Sequence, residues 1–256
     1  MVLDTQSIML WFGHFLWPFL RITGLFLTAP FFGSDFIPSM VKAILAAAFA
    51  LSLSMWLPGL PAYPVDPFRA IILGFEQITY GAALGLTMQI IIAVFTSAGE
   101  MIGQLMGLSF ASLQMKGEGN AASAFSDLMF WAGLLGYMSV GGPVWLFTAL
   151  VHSFSHGVGF VPIGNWADLT LLGGSLFNAA VILALPVMGV TLCVNLTVGL
   201  TTVFAPSMNI LSIGFPLLVL SGFWVLAAEI PMFQLVIHHL MESSTMILRA
   251  ISVDGR

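Results

Sequence analysis

Long apolar runs, separated by short stretches rich in proline, glycine or charge, set the pattern of this sequence. Most runs reach or exceed the roughly 20 residues that cross a lipid bilayer as a helix. They do not alternate apolar and polar positions as the strands of a membrane barrel do, so we interpret all of them as helices. The runs cover residues 8–32, 40–57, 70–96, 125–154, 169–204 and 210–241. The predicted fold class is therefore all-α.

The breaks between the runs differ in kind. Residues 57–67 include four prolines in eleven positions, which predicts an extended loop because proline cannot continue a helix. Residues 107–126 form the most polar stretch of the chain. Prolines also interrupt the last third of the sequence, at Pro186, Pro206, Pro216 and Pro231. These positions predict kinked or broken helices rather than straight spans.

Composition places this helical pattern in a membrane. The chain of 256 residues is 59% hydrophobic and 7% charged, whereas about a quarter of the residues in an ordinary globular protein are charged. Residues 169–228 alone form a stretch of 60 without a charge. We therefore predict a polytopic, largely hydrophobic helical subunit of a membrane complex, in contact with membrane lipid. The net charge of -5 provides no basic footprint for nucleic acid.

Sequence signatures of catalysis are missing from the chain. It contains no H-E-x-x-H zinc motif, no lysine phosphate loop and no G-x-S-x-G nucleophile elbow. We therefore expect that the protein is not an enzyme and holds no cofactor or metal ion.

A few charges are isolated within the apolar runs. Arg21 lies well inside residues 8–32, where insertion of an ionised side chain costs about 2.5 to 3.5 kcal/mol. Glu76, Glu100 and Glu229 have similarly apolar neighbours. A proton or ion relay and buried ion pairs are both possible roles, and we favour ion pairs. Glu76, Glu100 and Asp35 are the first candidates to neutralise Arg21.

Two rows of glycines recur at intervals of four residues. Gly81 and Gly85 form one row, and Gly99, Gly103 and Gly107 form the other. This spacing aligns small residues on one helix face, where another backbone can approach closely. We predict a helix-packing interface at Gly81, Gly85, Gly99 and Gly103, with a partner in the same chain or in another.

Several blocks, in order, resemble a known family. They are Ala29-Pro30-Phe31-Phe32-Gly33, Ala98-Gly99-Glu100-Met101-Ile102-Gly103, Met106-Gly107-Leu108-Ser109-Phe110-Ala111, Asn195-Leu196-Thr197-Val198-Gly199-Leu200 and Ala205-Pro206-Ser207-Met208-Asn209-Ile210. On these blocks the chain is similar to the flagellar biosynthesis protein FliR family, the export-gate subunits of type III secretion. It departs at Val203-Phe204 and at Gln114-Met115-Lys116, where the family commonly has an arginine and an Asp-Pro pair.

The resemblance implies a role in protein export. Members join FliP and FliQ in a helical spiral around a secretion channel, with FlhB and FlhA as neighbours. Unfolded flagellar export substrates pass through it across the bacterial inner (cytoplasmic) membrane at the flagellar basal body. The resemblance also implies a FliP-like helical part at residues 1–170 and a FliQ-like helical hairpin at residues 171–256, joined in one structural unit.

The segment 107–120 is a candidate channel plug. The resemblance places a plug loop here, and the composition agrees, because bulky apolar side chains lie between glycines with permissive backbone angles. The plug residues are Gly107, Leu108, Ser109, Phe110, Leu113, Met115, Lys116, Gly117 and Gly119. An ordinary interhelical loop is the alternative.

Two other functions stay open at this point. One is an export-gate subunit of a virulence-type injectisome, which the sequence separates from the flagellar type only by overall likeness. The other is a stand-alone proton-coupled secondary transporter that uses Glu76 or Glu100 as its proton site.

Overall fold

Helices account for nearly all of the chain that a computed structural model describes, which is residues 5–33, 37–57, 60–108, 121–154, 166–204 and 210–253. These residues form eight helices and no strand. The helices are α1 Thr5–Thr28, α2 Pro30–Gly33, α3 Ser39–Trp56, α4 Pro67–Leu105, α5 Ala121–Ser139, α6 Gly142–Ser153, α7 Trp166–Phe204 and α8 Ile210–Val253. The all-α prediction is confirmed.

Five of these helices, α1, α3, α4, α7 and α8, are long and apolar enough to cross a membrane. The pair α5 and α6 counts as a sixth span if its two helices are taken together. The break between them falls where Gly141 adopts a φ of 81°, a left-handed conformation that glycine tolerates without a steric penalty. The predicted polytopic, broken helical architecture is thereby confirmed.

Three of the four prolines predicted to interrupt the last third lie inside helices. Pro186 is within α7, and Pro216 and Pro231 are within α8. A proline removes one intrahelical hydrogen bond, and long apolar helices tolerate this when neighbouring groups replace it. Pro206 lies outside the described residues.

The chain divides into two compact units that do not follow the chain order. The first comprises Met1–Ile90, Gly141–Trp166 and Ser243–Arg256, and the second comprises Ile91–Val140 and Ala167–Glu242. The predicted division into residues 1–170 and 171–256 rests on likeness to other subunits, and it stays a prediction.

In the first unit, the loop that follows α3 is fastened to α1. The indole Nε1–H of Trp17 donates to the carbonyl of Pro61 over 3.0 Å. The backbone N–H of Tyr63 donates to the carbonyl of Met9, also over 3.0 Å. These bonds satisfy backbone groups that a proline-rich segment cannot pair by itself. The described part of the loop predicted for residues 57–67 is thus held against α1 by two hydrogen bonds.

The core of the second unit joins α4, α5, α7 and α8. Its buried apolar side chains are Ile102, Met106, Phe125, Met129, Ala184, Val187 and Leu226. Phe95 adds an edge-to-face contact with Phe233, with ring centroids 5.4 Å apart, a geometry favourable to aromatic pairs.

Candidate functional site

Arg21 is buried in the first unit, among apolar neighbours. Its side chain is 1% exposed, and Trp17, Ile22 and Leu25 around it on α1 are fully buried. A cation in such a place must be held by hydrogen bonds or by an opposite charge, because neither water nor headgroups reach it.

Two helices provide the hydrogen bonds. The Nε–H of Arg21 donates to Oε1 of Gln77 on α4 over 2.8 Å. An Nη1–H donates to Oγ of Ser153, at the end of α6, over 2.6 Å. The guanidinium therefore ties α1, α4 and α6 together.

Aromatic rings provide the rest of the environment. The guanidinium carbon lies 3.9 Å from the ring centroid of Phe154 and 4.7 Å from that of Tyr80. Both distances are within the range of a cation–π interaction, which is strongest where the cation is desolvated. Among the described residues, only neutral groups hold the buried guanidinium. We call this arrangement the Arg21 clamp.

The candidate carboxylates of the sequence analysis lie elsewhere. Glu76 precedes Gln77 on α4 and is half-buried, and its Oε2 has no hydrogen-bond partner among the described residues. Glu100 is exposed and belongs to the second unit. Asp35 lies outside the described residues. The ion pair predicted for Arg21 is thus not among the contacts described for this chain, and it stays a prediction about the assembly.

Sequence reasoning missed Gln77 and Ser153 as partners of Arg21. One signal was available for each. Gln77 is an amide that follows Glu76 within an otherwise apolar run, and Ser153 precedes the aromatic Phe154 at the end of another. An amide and a hydroxyl can each accept a hydrogen bond from a guanidinium.

The glycines of the first row are points of close helix contact in the first unit. A Cβ on Gly81 would collide with the carbonyl oxygen of Arg21, and one on Gly85 would lie 2.6 Å from the carbonyl oxygen of Leu25. Beside them, the Thr28 hydroxyl donates to the carbonyl of Ala82 over 2.9 Å. This row faces α1 of the same chain.

The second row lies in the second unit. A Cβ on Gly99 would stand 2.8 Å from Cβ and Cγ of Met129 and 3.0 Å from Cα of Ser126, both on α5. Gly103, one turn further along α4, is buried. The hydroxyl of Ser126 donates to the carbonyl of Thr96 over 3.2 Å at the same crossing.

Replacing Gly99 with alanine is expected to destabilise the protein by about 1 to 3 kcal/mol, the usual cost of overpacking. The methyl group would displace Met129 and separate α4 from α5. A lower midpoint of thermal unfolding in detergent would show this effect. Gly189→Ala is the control, because a Cβ there meets nothing within 4 Å, and an equal midpoint for both variants would contradict the contact.

Only the first two plug residues fall in the described part of the chain. Gly107 follows α4 with a φ of 74°, and its N–H donates to the carbonyl of Gln104 over 3.0 Å, a helix end typical of glycine. Leu108 packs against the core of the second unit. The other plug residues, which lie outside the described residues, are Ser109, Phe110, Leu113, Met115, Lys116, Gly117 and Gly119. The plug stays a prediction.

The described residues include side chains of the types that hold metal ions, namely His, Cys, Asp and Glu. Among those residues, no group of three or more His, Cys, Asp or Glu side chains is placed to hold a metal ion. The described arrangement can hold helices together through hydrogen bonds and ring contacts.

Known proteins match nearly the whole chain. The profile of a family described as bacterial export proteins, family 1, matches residues 12–244. The chain is 35% identical over 235 residues to the flagellar biosynthetic protein FliR of Escherichia coli (strain K12), covering 90% of this chain and 89% of that protein. It is 32% identical over 233 residues to FliR of Pectobacterium carotovorum subsp. carotovorum, covering 90% and 89%. With FliR of Aquifex aeolicus (strain VF5) the identity is 25% over 222 residues, covering 84% of each chain.

Proposed function

The chain belongs to the bacterial export proteins, family 1, and from this membership we propose that it is a subunit of the flagellar type III protein export gate. In this role it forms, with FliP and FliQ, the channel that passes unfolded flagellar proteins across the inner membrane. FlhB and FlhA are its neighbours at the basal body. Its own contribution is structural rather than catalytic.

Exposed apolar surface is the observation that carries this proposal. On α3 only Ala46 and Ala50 are buried, whereas the side chain of Trp56 is 86% exposed. Phe204 at the end of α7 is 85% exposed and Trp224 on α8 is 73% exposed. Large apolar side chains exposed in such numbers indicate contact with lipid or with other subunits.

The need for partners follows from helix length. Helices α4 and α7 have 39 residues each and α8 has 44. At 1.5 Å per residue they measure about 58 to 66 Å, about twice the roughly 30 Å hydrocarbon thickness of a bilayer. Apolar helices of this length need protein around the part that lipid does not cover, which supports a multi-subunit channel.

Co-expression with partners tests the proposal. The tagged full-length chain is produced together with FliP and FliQ from the same genome, extracted in mild detergent and purified on the tag. We expect all three proteins to elute as one species of defined mass. A chain that purifies alone while FliP and FliQ are present in the same membranes would overturn the channel assignment.

The flagellar system is favoured over a virulence-type injectisome because the relatives reported above are all named as flagellar biosynthetic proteins. A stand-alone proton-coupled transporter has less support, since the family is one of export proteins. Loss of motility in a deletion strain, with restoration by this chain, distinguishes the flagellar role from both.

Within this channel we assign residues 107–120 as the plug. Two observations support the assignment: the left-handed Gly107 ends the helix before the segment, and Leu108 anchors its start in the core of the second unit. Apolar side chains block ions by excluding water from a constriction. The flexible side chain of Met115 adds a group that can repack around varied substrates.

Deleting residues 109–116 is expected to leave the complex assembled and to increase passive leakage of ions or small solutes across the membrane. The deletion removes the bulk that fills the channel but keeps Gly107 and Leu108. Leakage is measured as dye or ion release from vesicles that contain the purified complex. Phe110→Gly is a milder variant with the same expected direction, and Ser139→Gly on α5 is the control. If the deletion complex assembles and its leakage is unchanged, residues 107–120 are an ordinary interhelical loop and not a plug.

A further inference from the structure

Glu229 is a buried carboxyl group for which the described residues provide no partner. It lies on α8, within the apolar segment Ile213–Ser243, and is 8% exposed. Both of its carboxyl oxygens are inaccessible and lack a hydrogen-bond partner among the described residues. Neither the export role nor the clamp at Arg21 uses this group.

Its surroundings are the apolar core of the second unit. Leu226, three residues before it, belongs to that core, and Phe233, four residues after it, packs against the core and against Phe95. Helical spacing places residues at i−3, i and i+4 on one face. Glu229 therefore shares the buried face of α8, which packs with α4, α5 and α7.

Within the second unit, the titratable side chains described on those four helices include no lysine or arginine, and the two arginines of α4 and α8, Arg69 and Arg249, belong to the first unit. Glu100 on α4, Asp127 on α5 and Cys193 on α7 are exposed, and Tyr137 on α5 is buried. His238 and His239 on α8 are also exposed, and they lie about 13 to 15 Å further along the helix at 1.5 Å per residue. None of these groups is a lysine or an arginine.

Lysine and arginine are also rare in the sequence around Glu229. Between Arg69 and Arg249 the chain contains one Lys or Arg, Lys116, which lies outside the described residues. A cation from a partner subunit would need access to the carboxyl group, yet both oxygens are covered by this chain itself. An ionised carboxylate without a partner is too costly in an apolar interior, and such a group takes up a proton instead.

We propose that Glu229 is a proton-binding site: its carboxyl group binds a proton in the folded chain and is neutral there. The ligand is a proton rather than a metal ion or a cationic side chain. Pro231, two residues away, removes one hydrogen bond of α8 and makes this part of the helix easier to bend. Bending here is the movement that would bring Glu229 to water and release the proton.

Substitution distinguishes a neutral acid from an ionised one. In the full-length chain, Glu229→Gln keeps the shape without the charge, and the folded yield from membranes is expected to stay within twofold of the unchanged protein. Glu229→Lys places a charge in the same apolar site, and its yield is expected to fall at least tenfold. The matched control is Glu100→Lys on exposed α4 surface, which is expected to lower the yield less than Glu229→Lys.

Chemical labelling tests the proton directly. N,N′-dicyclohexylcarbodiimide enters membranes and reacts with protonated carboxyl groups, and the bending of α8 that exposes Glu229 would admit it, so peptide mapping at pH 8 is expected to find the adduct on Glu229. The exposed Asp66, which caps α4 by accepting from the N–H of Phe68, is the control outside the apolar core and is expected to stay unlabelled. The adduct should be absent from the Glu229→Gln chain.

Two results would overturn the proposal. One is an unlabelled Glu229 in protein of normal yield. The other is a yield of Glu229→Gln as low as that of Glu229→Lys, which would show that the carboxylate is ionised and paired with a cation.

Discussion

Replacing Arg21 with leucine is expected to reduce the folded, membrane-extracted protein at least tenfold. Leucine keeps the apolar volume of α1 but leaves Gln77 and Ser153 without the donors that they now receive. The amide oxygen of Gln77 then lacks its partner, which costs about 1 to 3 kcal/mol, whereas the Ser153 hydroxyl keeps its bond to the carbonyl of Leu150. Loss of the contacts with the rings of Tyr80 and Phe154 adds about 2 kcal/mol for a desolvated cation. The sum is comparable with the lower end of the stability of a typical domain, which is about 5 to 15 kcal/mol.

The measurement is the amount of chain that elutes as a single species after extraction in mild detergent, compared with total expression. Arg69→Leu is the matched control, since Arg69 is an exposed arginine at the start of α4 in the same unit. Arg21→Lys should not rescue the protein, because one ammonium group lacks the planar fork that reaches two acceptors. Normal yield of Arg21→Leu would show that the clamp is dispensable.

The existence of the helices was predictable from the sequence, but their lengths were less so. The apolar run at residues 70–96 belongs to a helix that continues to Leu105 through Ser97, Glu100 and Gln104. Polar side chains weaken an apolar pattern, yet they do not end a helix, because its backbone hydrogen bonds are made internally. Helices α7 and α8 continue through their prolines because long apolar helices tolerate the loss of one internal bond where neighbouring groups replace it.

The candidate site was predictable only in part. Because a charge in an apolar run is costly, the sequence indicated that Arg21 needs partners. We expected these partners to be carboxylates, since opposite charges attract. The partners that the structure describes lie 56 and 132 residues away in the chain and are neutral. A guanidinium has five N–H donors, so neutral acceptors can satisfy it. Which acceptors reach it depends on how α1, α4 and α6 pack, and no local pattern contains that information.

Replacing Gly81 with alanine is also expected to destabilise the protein strongly, because Gly81 lies where α4 contacts α1. A Cβ there would collide with the carbonyl oxygen of Arg21, a backbone atom that cannot rotate away. Gly81→Ala is therefore expected to force the two helices apart, at a cost of about 3 kcal/mol, the upper part of the range for overpacking. The midpoint of thermal unfolding in detergent, together with folded yield, measures the effect.

Gly74 on the same helix provides the matched control. A Cβ there would lie 3.4 Å from Cδ1 of Leu20, the far end of a flexible side chain. In a helix, alanine is otherwise favoured over glycine by about 0.5 to 1 kcal/mol, so Gly74→Ala is expected to be neutral or slightly stabilising. Equal unfolding midpoints for Gly74→Ala and Gly81→Ala would contradict the close contact.

The effect of Gly81→Ala should also reach the Arg21 clamp. Gln77, Gly81 and Gly85 follow one another at intervals of four residues, so they share the face of α4 that meets α1. The absence of a side chain at Gly81 lets the two backbones approach, and this approach brings Gln77 within 2.8 Å of the Arg21 guanidinium. If the two features are coupled, Gly81→Ala combined with Gln77→Ala will destabilise the chain by less than the sum of the two single changes. Strict additivity would show that the clamp and the glycine contact act independently.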